Sequence, residues 1–220
     1  MKTAIFACNT IRDEIMLADN NVQSGHDFYW LESNLHNFPD KLRAGMQAQL
    51  DKLDGYDRVL MVFGFCGNSI LGLKTHSFEM ILPKVDDCIT LMIGSIDKRA
   101  ELSKGHHSIY LTRGWLEHES NLWSEYEYTV KKYGEDAAQY VIDVMYGNYD
   151  TLSLVDTGAY IVDSIREQAE LIARRFNLEQ KIIEGTTSLI ERLLIGPWDA
   201  DRFLVVPPYS SVEAIDVLLT

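Results

Sequence analysis

The chain has 220 residues and a mass of 25.1 kDa, which is enough for one domain with a sizeable core. Apolar residues make up 46% and charged residues 24%, which excludes a disordered chain, a collagen and a disulfide scaffold. The formal net charge of −13 argues against broad binding to nucleic acid and against an anionic membrane surface.

The sequence predicts a cytoplasmic protein. No apolar run reaches the roughly 18 residues of a membrane span. The apolar stretch at the N-terminus is cut off by the polar run Asn9–Glu14, which makes it a poor signal peptide. In a reducing compartment, the three cysteines are expected to be thiols or metal ligands rather than disulfides.

Apolar, β-branched runs alternate with segments of helical spacing. The predicted strands are Thr3–Ala7, Arg58–Phe63, Phe78–Leu82, Ser108–Leu111, Leu152–Val155 and Phe203–Val206. The predicted helices are Pro39–Leu53, Trp115–Lys132, Ala137–Tyr146, Gly158–Phe176 and Thr186–Leu194. This alternation predicts an α/β fold: a Rossmann-like, mainly parallel sheet with helices on both faces. We treat residues 1–220 as one domain, with two similar α/β halves joined near Trp115–Asp150 as the alternative.

All three cysteines follow predicted strands. In parallel sheets, ligands bind beyond the carboxyl ends of the strands, and Cys8, Cys66 and Cys88 all fall there. Thiolates select zinc or an iron–sulfur cluster, and three protein ligands leave one position open for a small-molecule substrate. The competing interpretation is that each cysteine is an ordinary buried small residue.

Glycines surround the second cysteine in the segment Gly64–Ser69. They predict a tight turn from strand to helix, with Cys66 at the helix N-terminus, where thiolate is favoured. That position suits a metal ligand and also a nucleophile. The candidates for contacting a bound cofactor are Gly64, Gly67, Asn68, Thr112 and Asp156.

Four further residues are candidates for catalysis beside Cys66. Asp87 precedes Cys88 and is suited to cap the next helix or to support a ligand. Arg12 and Arg113 are suited to hold a substrate carboxylate, although a surface ion pair is the commoner role of an arginine. His36 lies in a loop as a candidate ligand or proton donor, and a loop hydrogen bond is its simpler role.

Several motifs, in the same order along the chain, resemble domain-of-unknown-function family 1638. The resemblance runs from about Ala4 to Pro208 and is carried by residues 35–39 (LHNFP), 64–68 (GFCGN), 83–90 (PKVDDCIT), 94–95 (GS), 110–115 (YLTRGW), 155–158 (VDTG), 198–199 (WD) and 203–208 (FLVVPP). Members of the family occur chiefly in anaerobes, often near corrinoid-dependent methyltransferases. The resemblance implies that Cys8, Cys66 and Cys88 match family cysteines. One departure is Asp86, where the family usually has histidine.

The anaerobic setting that the resemblance implies favours a [4Fe-4S] cluster over Zn2+ as the cofactor. Three hypotheses follow. The first is a metal-binding enzyme or accessory factor of one-carbon or corrinoid metabolism, with a corrinoid protein or methyltransferase as its partner. The second is a metal-free thiol enzyme with Cys66 as the nucleophile. The third is a non-catalytic protein that docks onto a methyltransferase.

Overall fold

The computed structural model describes residues 1–32, 35, 38–118 and 121–218. In this part of the chain, the strands form two sheets: β1 (Thr3–Cys8), β2 (Asp27–Leu31), β3 (Arg58–Val62), β4 (Glu79–Pro83), β5 (Ser108–Leu111), β6 (Thr151–Asp156), β7 (Glu179–Glu184) and β8 (Phe203–Val206). The helices are α1 (Arg12–Val22), α2 (Pro39–Leu50), α3 (Cys88–Ile93), α4 (Ile96–Leu102), α5 (Arg113–His118), α6 (Leu122–Tyr133), α7 (Glu135–Tyr146), α8 (Asp163–Arg175), α9 (Ser188–Ile195) and α10 (Ala214–Leu218). A 3-10 turn, Asn9–Ile11, joins β1 to α1.

The larger sheet has the strand order β2-β1-β3-β4-β8. Its first four strands are parallel, and β8 is antiparallel to β4. Every residue of β1 is buried, as expected of an apolar strand in the middle of a parallel sheet. Helix α9 packs against β3, β4 and α1.

The smaller sheet has the order β5-β6-β7, with all strands parallel. Helix α8 packs against β6 and β7 through a face that includes Ile165, Ala169 and Ile172, which are buried. The predicted face also included Ile161, but the helix begins only at Asp163 and leaves Ile161 exposed.

The predicted fold class is confirmed as mixed α/β, with mostly parallel sheets flanked by helices. The prediction missed β2 and β7, which are strands at the edges of the two sheets. Edge strands bury fewer side chains: β7 has no fully buried residue, and β2 has one, Leu31, although Phe28–Leu31 is an apolar run. In the described part of the chain, no helix has the length and apolarity needed to cross a membrane.

The predicted helix Trp115–Lys132 is interrupted. Asn121 accepts hydrogen bonds from the backbone N–H groups of Trp123 and Ser124, and the Ser124 hydroxyl accepts one from the Asn121 N–H in return. This capping box begins a new helix, α6, which a reading of apolar spacing alone could not separate from α5.

The last predicted strand, Phe203–Val206, is confirmed as β8, but it runs antiparallel to its neighbour β4. Because β8 runs antiparallel to β4, the residues after it, Pro207–Tyr209, leave from the opposite edge of the sheet. The Tyr209 N–H donates to the carbonyl of His76 at that opposite end. The other predicted strand ends remain together.

Each sheet has its own apolar cluster, and the two clusters meet at Trp115. The larger cluster surrounds β1, β3 and β4, and the smaller one surrounds β6 and α8. Trp115 is half-buried and packs against both clusters. It lies in α5, directly after the first strand of the smaller sheet.

Candidate functional site at the carboxyl edge of the larger sheet

The loops that carry Cys66 and Cys88 are joined along their backbones. The Phe65 N–H donates to the Val85 carbonyl over 2.8 Å, and the Cys66 N–H donates to the Asp86 carbonyl over 2.8 Å. Because Asp86 lies two positions before Cys88, these bonds hold the second cysteine beside the third.

Gly64 makes this close approach possible. A Cβ atom at this position would lie 2.4 Å from the Cα of Asp87, which is far inside van der Waals contact with backbone. Any larger residue would push the two loops apart. The sequence analysis assigned Gly64 to the site. In the structure, Gly64 allows the two loops that carry Cys66 and Cys88 to lie in close contact.

The turn at Cys66 has an unusual backbone. Cys66, Gly67 and Asn68 all have positive φ angles, 44°, 65° and 64°. A non-glycine residue held in that region costs on the order of 1–3 kcal/mol, and such residues concentrate at functional sites. The expectation that Cys66 lies at a helix N-terminus is wrong, because residues 66–72 form turns and Cys88, instead, is the first residue of a helix.

The three thiols lie near one another at this edge. Cys8 ends β1 and is buried, as is Cys88, whereas Cys66 is half-buried. Burial raises the pKa of the Cys88 thiol well above its usual range, and interactions with Cys66, Asp87 and Cys8 raise it further. An interaction with the Trp115 side chain acts in the opposite direction. The Cys88 thiol therefore interacts electrostatically with both other cysteines.

A second glycine brings α5 and Trp115 to the site. A Cβ on Gly114 would lie 1.7 Å from the carbonyl oxygen of Thr10, which is two residues after Cys8. The start of α5 therefore packs directly on the turn that follows the first cysteine. Gly114 thus has the same function for the smaller sheet that Gly64 has for the loop after β3.

A cavity of about 340 Å³ opens at this junction. This volume lies in the range of small-molecule sites. Its lining consists of two thiol side chains, charged groups and aromatic rings from both sheets: Cys66, Gly67, Asp87, Cys88, Ile89, Arg99, Ser108, Ile109, Tyr110, Trp115, Tyr146 and Tyr149.

Asp87 caps α3 and anchors an arginine. Its carboxylate accepts a hydrogen bond from the Thr90 N–H over 2.9 Å, as predicted for an acidic residue before this helix. The same carboxylate lies 2.7 Å from Nη1 of Arg99, which also donates to Asp86 over 3.0 Å and to the Thr90 hydroxyl over 2.7 Å. One guanidinium nitrogen therefore holds both aspartates in place.

The donor side chains do not form a ready metal cage. Among the residues that the structure describes, no three His, Cys, Asp or Glu side chains form a group that could hold a metal ion. The three thiols share one edge of the sheet, but they would have to approach more closely to share one ion.

The two predicted arginines lie outside the cavity lining in the described part of the chain. Arg12 stacks over the Trp30 ring at 4.5 Å, and its Nη1 donates to Asn9 over 3.4 Å. Arg113 pairs with Asp13, with Nε donating to the carboxylate over 2.8 Å. Both arginines stabilise the start of α1 instead of pointing into the cavity.

Three predicted cofactor contacts also have local roles. The Thr112 hydroxyl accepts a 3.4 Å hydrogen bond from the Trp115 N–H at the start of α5. The Asp156 carboxylate accepts a hydrogen bond from the Gly158 N–H over 3.1 Å in the turn after β6. Asn68 offers its backbone carbonyl to Arg43 over 3.4 Å. His36 lies outside the described residues.

The cavity contains side chains that sequence reasoning did not select. Arg99 carries no sequence signal, because it sits on a short helix with no buried residue. Tyr146 and Tyr149 belong to an aromatic-rich stretch that reads equally well as core. Tyr110 lies in the predicted strand Ser108–Leu111 and Trp115 follows that strand, and these positions were the available signal.

Comparison with known proteins gave one match. The family model described as "Protein of unknown function (DUF1638)" matches residues 30–194. No curated protein and no solved structure matches the chain.

Proposed function

Since this chain belongs to the DUF1638 family, whose description names no activity, we propose a function from its own geometry. The protein is a metal-binding protein in which Cys8, Cys66 and Cys88 together hold a [4Fe-4S] cluster or a zinc ion. It acts as an enzyme or accessory factor in anaerobic one-carbon or corrinoid metabolism, a proposal that the family resemblance supports. The observation that supports the metal proposal is that Cys66 and Cys88 line one cavity and that Cys88 interacts with both Cys66 and Cys8.

The donor chemistry fits this cofactor. Thiolates are the ligands that zinc and iron–sulfur clusters prefer, and the site contains three of them at one sheet edge. Cys8, Cys66 and Cys88 would hold the metal, which when bound would supply Lewis-acid chemistry towards a small substrate.

Metal binding requires the three thiols to move closer together, and we expect Cys66, in its strained turn, to make this movement. Cys8 ends a central strand and Cys88 begins a helix, so regular structure fixes their backbones. Cys66 is the half-buried member of the set and lies in a left-handed turn. We therefore assign the closing movement to Cys66, and a bound metal compensates for the strain of this turn.

The other residues at the cavity prepare it for a small substrate. Asp87 and Arg99 form an ion pair at the N-terminus of α3, so the cavity wall next to Cys88 is rigid. Trp115 covers Cys88 from the side of the smaller sheet and limits the access of water to the thiols.

A second candidate function is favoured by the exposure of Cys66. It is less buried than Cys8 and Cys88, and it lines the cavity. A metal-free thiol enzyme would use Cys66 as its nucleophile and would not require Cys8 or Cys88.

Metal analysis separates these functions. Iron, zinc and acid-labile sulfide are measured after anaerobic purification of the wild type, of the three single Cys→Ser variants and of His76→Gln. His76 pairs with Asp51 away from the cysteines and is the matched control. We expect about four iron and four sulfide, or about one zinc, per chain. Each Cys→Ser change should lower that content, and His76→Gln should not.

Absence of stoichiometric metal from the wild type would overturn the metal proposal. Selective alkylation of Cys66, with loss of activity in Cys66→Ser alone, would then support the thiol enzyme. Equal, slow reaction of all three thiols would instead leave a non-catalytic docking protein.

A further inference from the structure

Four aromatic residues line the cavity together with the thiols of Cys66 and Cys88. Tyr110, Trp115, Tyr146 and Tyr149 come from β5, α5, and the end of α7 with the turn after it. The ring centroids of Tyr146 and Tyr149 lie 5.9 Å apart, with the two rings tilted by 54° to each other. The faces of such rings carry negative potential and attract cations, most strongly those of tryptophan.

The polar side of the cavity consists of Asp87 and Arg99, and Asp86 adds a second carboxylate behind them. Arg99 contributes one positive charge, and it is paired with two carboxylates, those of Asp86 and Asp87. The guanidinium is therefore more than neutralised where it stands, and Asp87 itself lines the cavity. A carboxylate or phosphate that entered to reach Arg99 would meet Asp87 at the same place.

A further carboxylate supports the aromatic wall from behind. The Tyr146 hydroxyl donates to Oε2 of Glu125 over 2.9 Å. This bond fixes the ring and increases its electron density, which strengthens its attraction for a cation. Tyr110 is held in a similar way through its hydroxyl, which lies 3.2 Å from that of Ser103.

The proposed metal centre would add to this field. Three thiolates around Zn2+, or around a [4Fe-4S] cluster of charge 2+, leave one negative charge in excess. This contribution rests on the proposed function, whereas the aromatic walls and the Asp86–Asp87–Arg99 cluster do not.

We infer that the cavity binds a small organic cation, with an alkylammonium group seated between the aromatic walls and Asp87. The ring faces and the carboxylate both favour positive charge, and the volume of about 340 Å³ suits a small ligand. The substrate of the thiol site therefore belongs to the class of small amines or quaternary ammonium compounds.

Three probes that share a compact core with methyl branches and differ in charge test this inference. Tetramethylammonium, tert-butyl alcohol and pivalate are titrated by calorimetry into the metal-free and the metal-loaded protein at low salt. We expect tetramethylammonium to bind at least tenfold more tightly than the other two, and more tightly still to the metal-loaded form. Tightest binding of pivalate would show that Arg99 selects an anion, and it would overturn the inference, as would equal binding of all three.

Variants locate the binding site. Asp87→Asn and Trp115→Leu should each weaken tetramethylammonium binding at least fivefold. Asp97→Asn, an exposed acidic residue on α4, is the matched control for charge and should leave it unchanged. Tyr149→Leu provides a second test of the aromatic wall, because Tyr149 is more exposed than Trp115 and its replacement disturbs the core less. Retention of binding in both Tyr149→Leu and Asp87→Asn would contradict the inference.

The same experiment distinguishes the two proposals. Selective cation binding by a protein that holds no metal would remove the proposed metal function and retain this inference. A metal-loaded protein that does not discriminate among the probes would do the opposite.

Discussion

The backbone N–H of Cys66 donates to the carbonyl of Asp86 over 2.8 Å, and this bond places one cysteine of the site beside another. It joins two loops that leave neighbouring parallel strands, β3 and β4, at the same edge of the sheet. The relationship needs a glycine at position 64 and a left-handed backbone at position 66. Both requirements can be tested by substitution.

Replacement of Gly64 by alanine should separate the loops. The added Cβ would meet the Asp87 backbone at 2.4 Å, and we expect a loss of about 1–3 kcal/mol in the free energy of unfolding, together with weaker metal binding. Urea unfolding and metal titration measure the two effects. Gly45→Ala is the matched control. Gly45 lies within α2, and a Cβ at this position would make only ordinary contacts, 3.5 Å at the nearest. It should raise stability by about 0.5–1 kcal/mol. Equal effects of both changes would contradict the assigned role of Gly64.

Because of the strained backbone at Cys66, we expect glycine to be more stable than alanine at this position, the reverse of the usual order. In the metal-free protein, Cys66→Gly should be more stable than Cys66→Ala by about 1 kcal/mol, because glycine adopts a φ of 44° without penalty. At Cys88, in the first turn of α3, the order should reverse, with alanine more stable than glycine. Chemical denaturation of the four variants measures both differences. The same order at both sites would show that the turn at Cys66 is unstrained.

Glu14 should make stability depend on pH. Its carboxyl is buried in α1 and accepts a hydrogen bond from the Thr157 hydroxyl over 3.2 Å. Burial raises its pKa from 4.5 to about 7. Between these two pH values, the folded protein therefore binds one more proton at Glu14 than the unfolded chain does. The contribution of Glu14 to stability is complete below about pH 4.5 and is lost as the pH rises through 7. The loss should total about 3 kcal/mol.

Glu14→Gln tests this dependence, because glutamine resembles the protonated carboxyl and keeps an acceptor for Thr157. Its free energy of unfolding, measured from pH 5 to 8, should lack the decrease seen in the wild type. Glu101→Gln, at an exposed position on α4, should retain that decrease. An unchanged slope in Glu14→Gln would show that another group titrates.

Gly114→Ala should disturb the contact between the two sheets. The new Cβ would lie 1.7 Å from the Thr10 carbonyl oxygen, so α5 must move away from the turn after Cys8. We expect a loss of at least about 2 kcal/mol of stability and a red shift of the Trp115 fluorescence as water reaches the indole. The emission is read against a Trp115→Phe background. An unshifted spectrum at normal stability would contradict this packing.

The sequence was sufficient for the strands that place the cysteines and insufficient for the cavity. Central strands such as β1 and β3 are apolar on both faces, so their ends, and the cysteines after them, can be predicted. The role of Arg99 depends on the approach of α4 to Asp87, which is a tertiary contact without local pattern. The aromatic wall depends on the docking of α5 and α7, and a tyrosine that packs in a core has the same helical spacing as one that lines a cavity.

The candidate arginines show the same limit. Arg12 and Arg113 were correctly placed after strands β1 and β5, yet their side chains turn to Trp30 and Asp13. The position of a residue along the chain fixes the edge of the sheet but not the direction of a long side chain. Gly64 and Gly114 were informative for a different reason, since a residue without a Cβ marks a close backbone approach that no other residue permits.

The most direct test of the central claim is to count the sulfur ligands by X-ray absorption at the zinc edge of the anaerobically zinc-loaded protein. We predict that Cys8, Cys66 and Cys88 supply three sulfur ligands at about 2.3 Å from the zinc, with one lighter ligand. We further predict that Cys66→Ser reduces the number of sulfur ligands to two. A wild-type site with no sulfur ligands, or with one, would contradict the claim that the three thiols form one metal site.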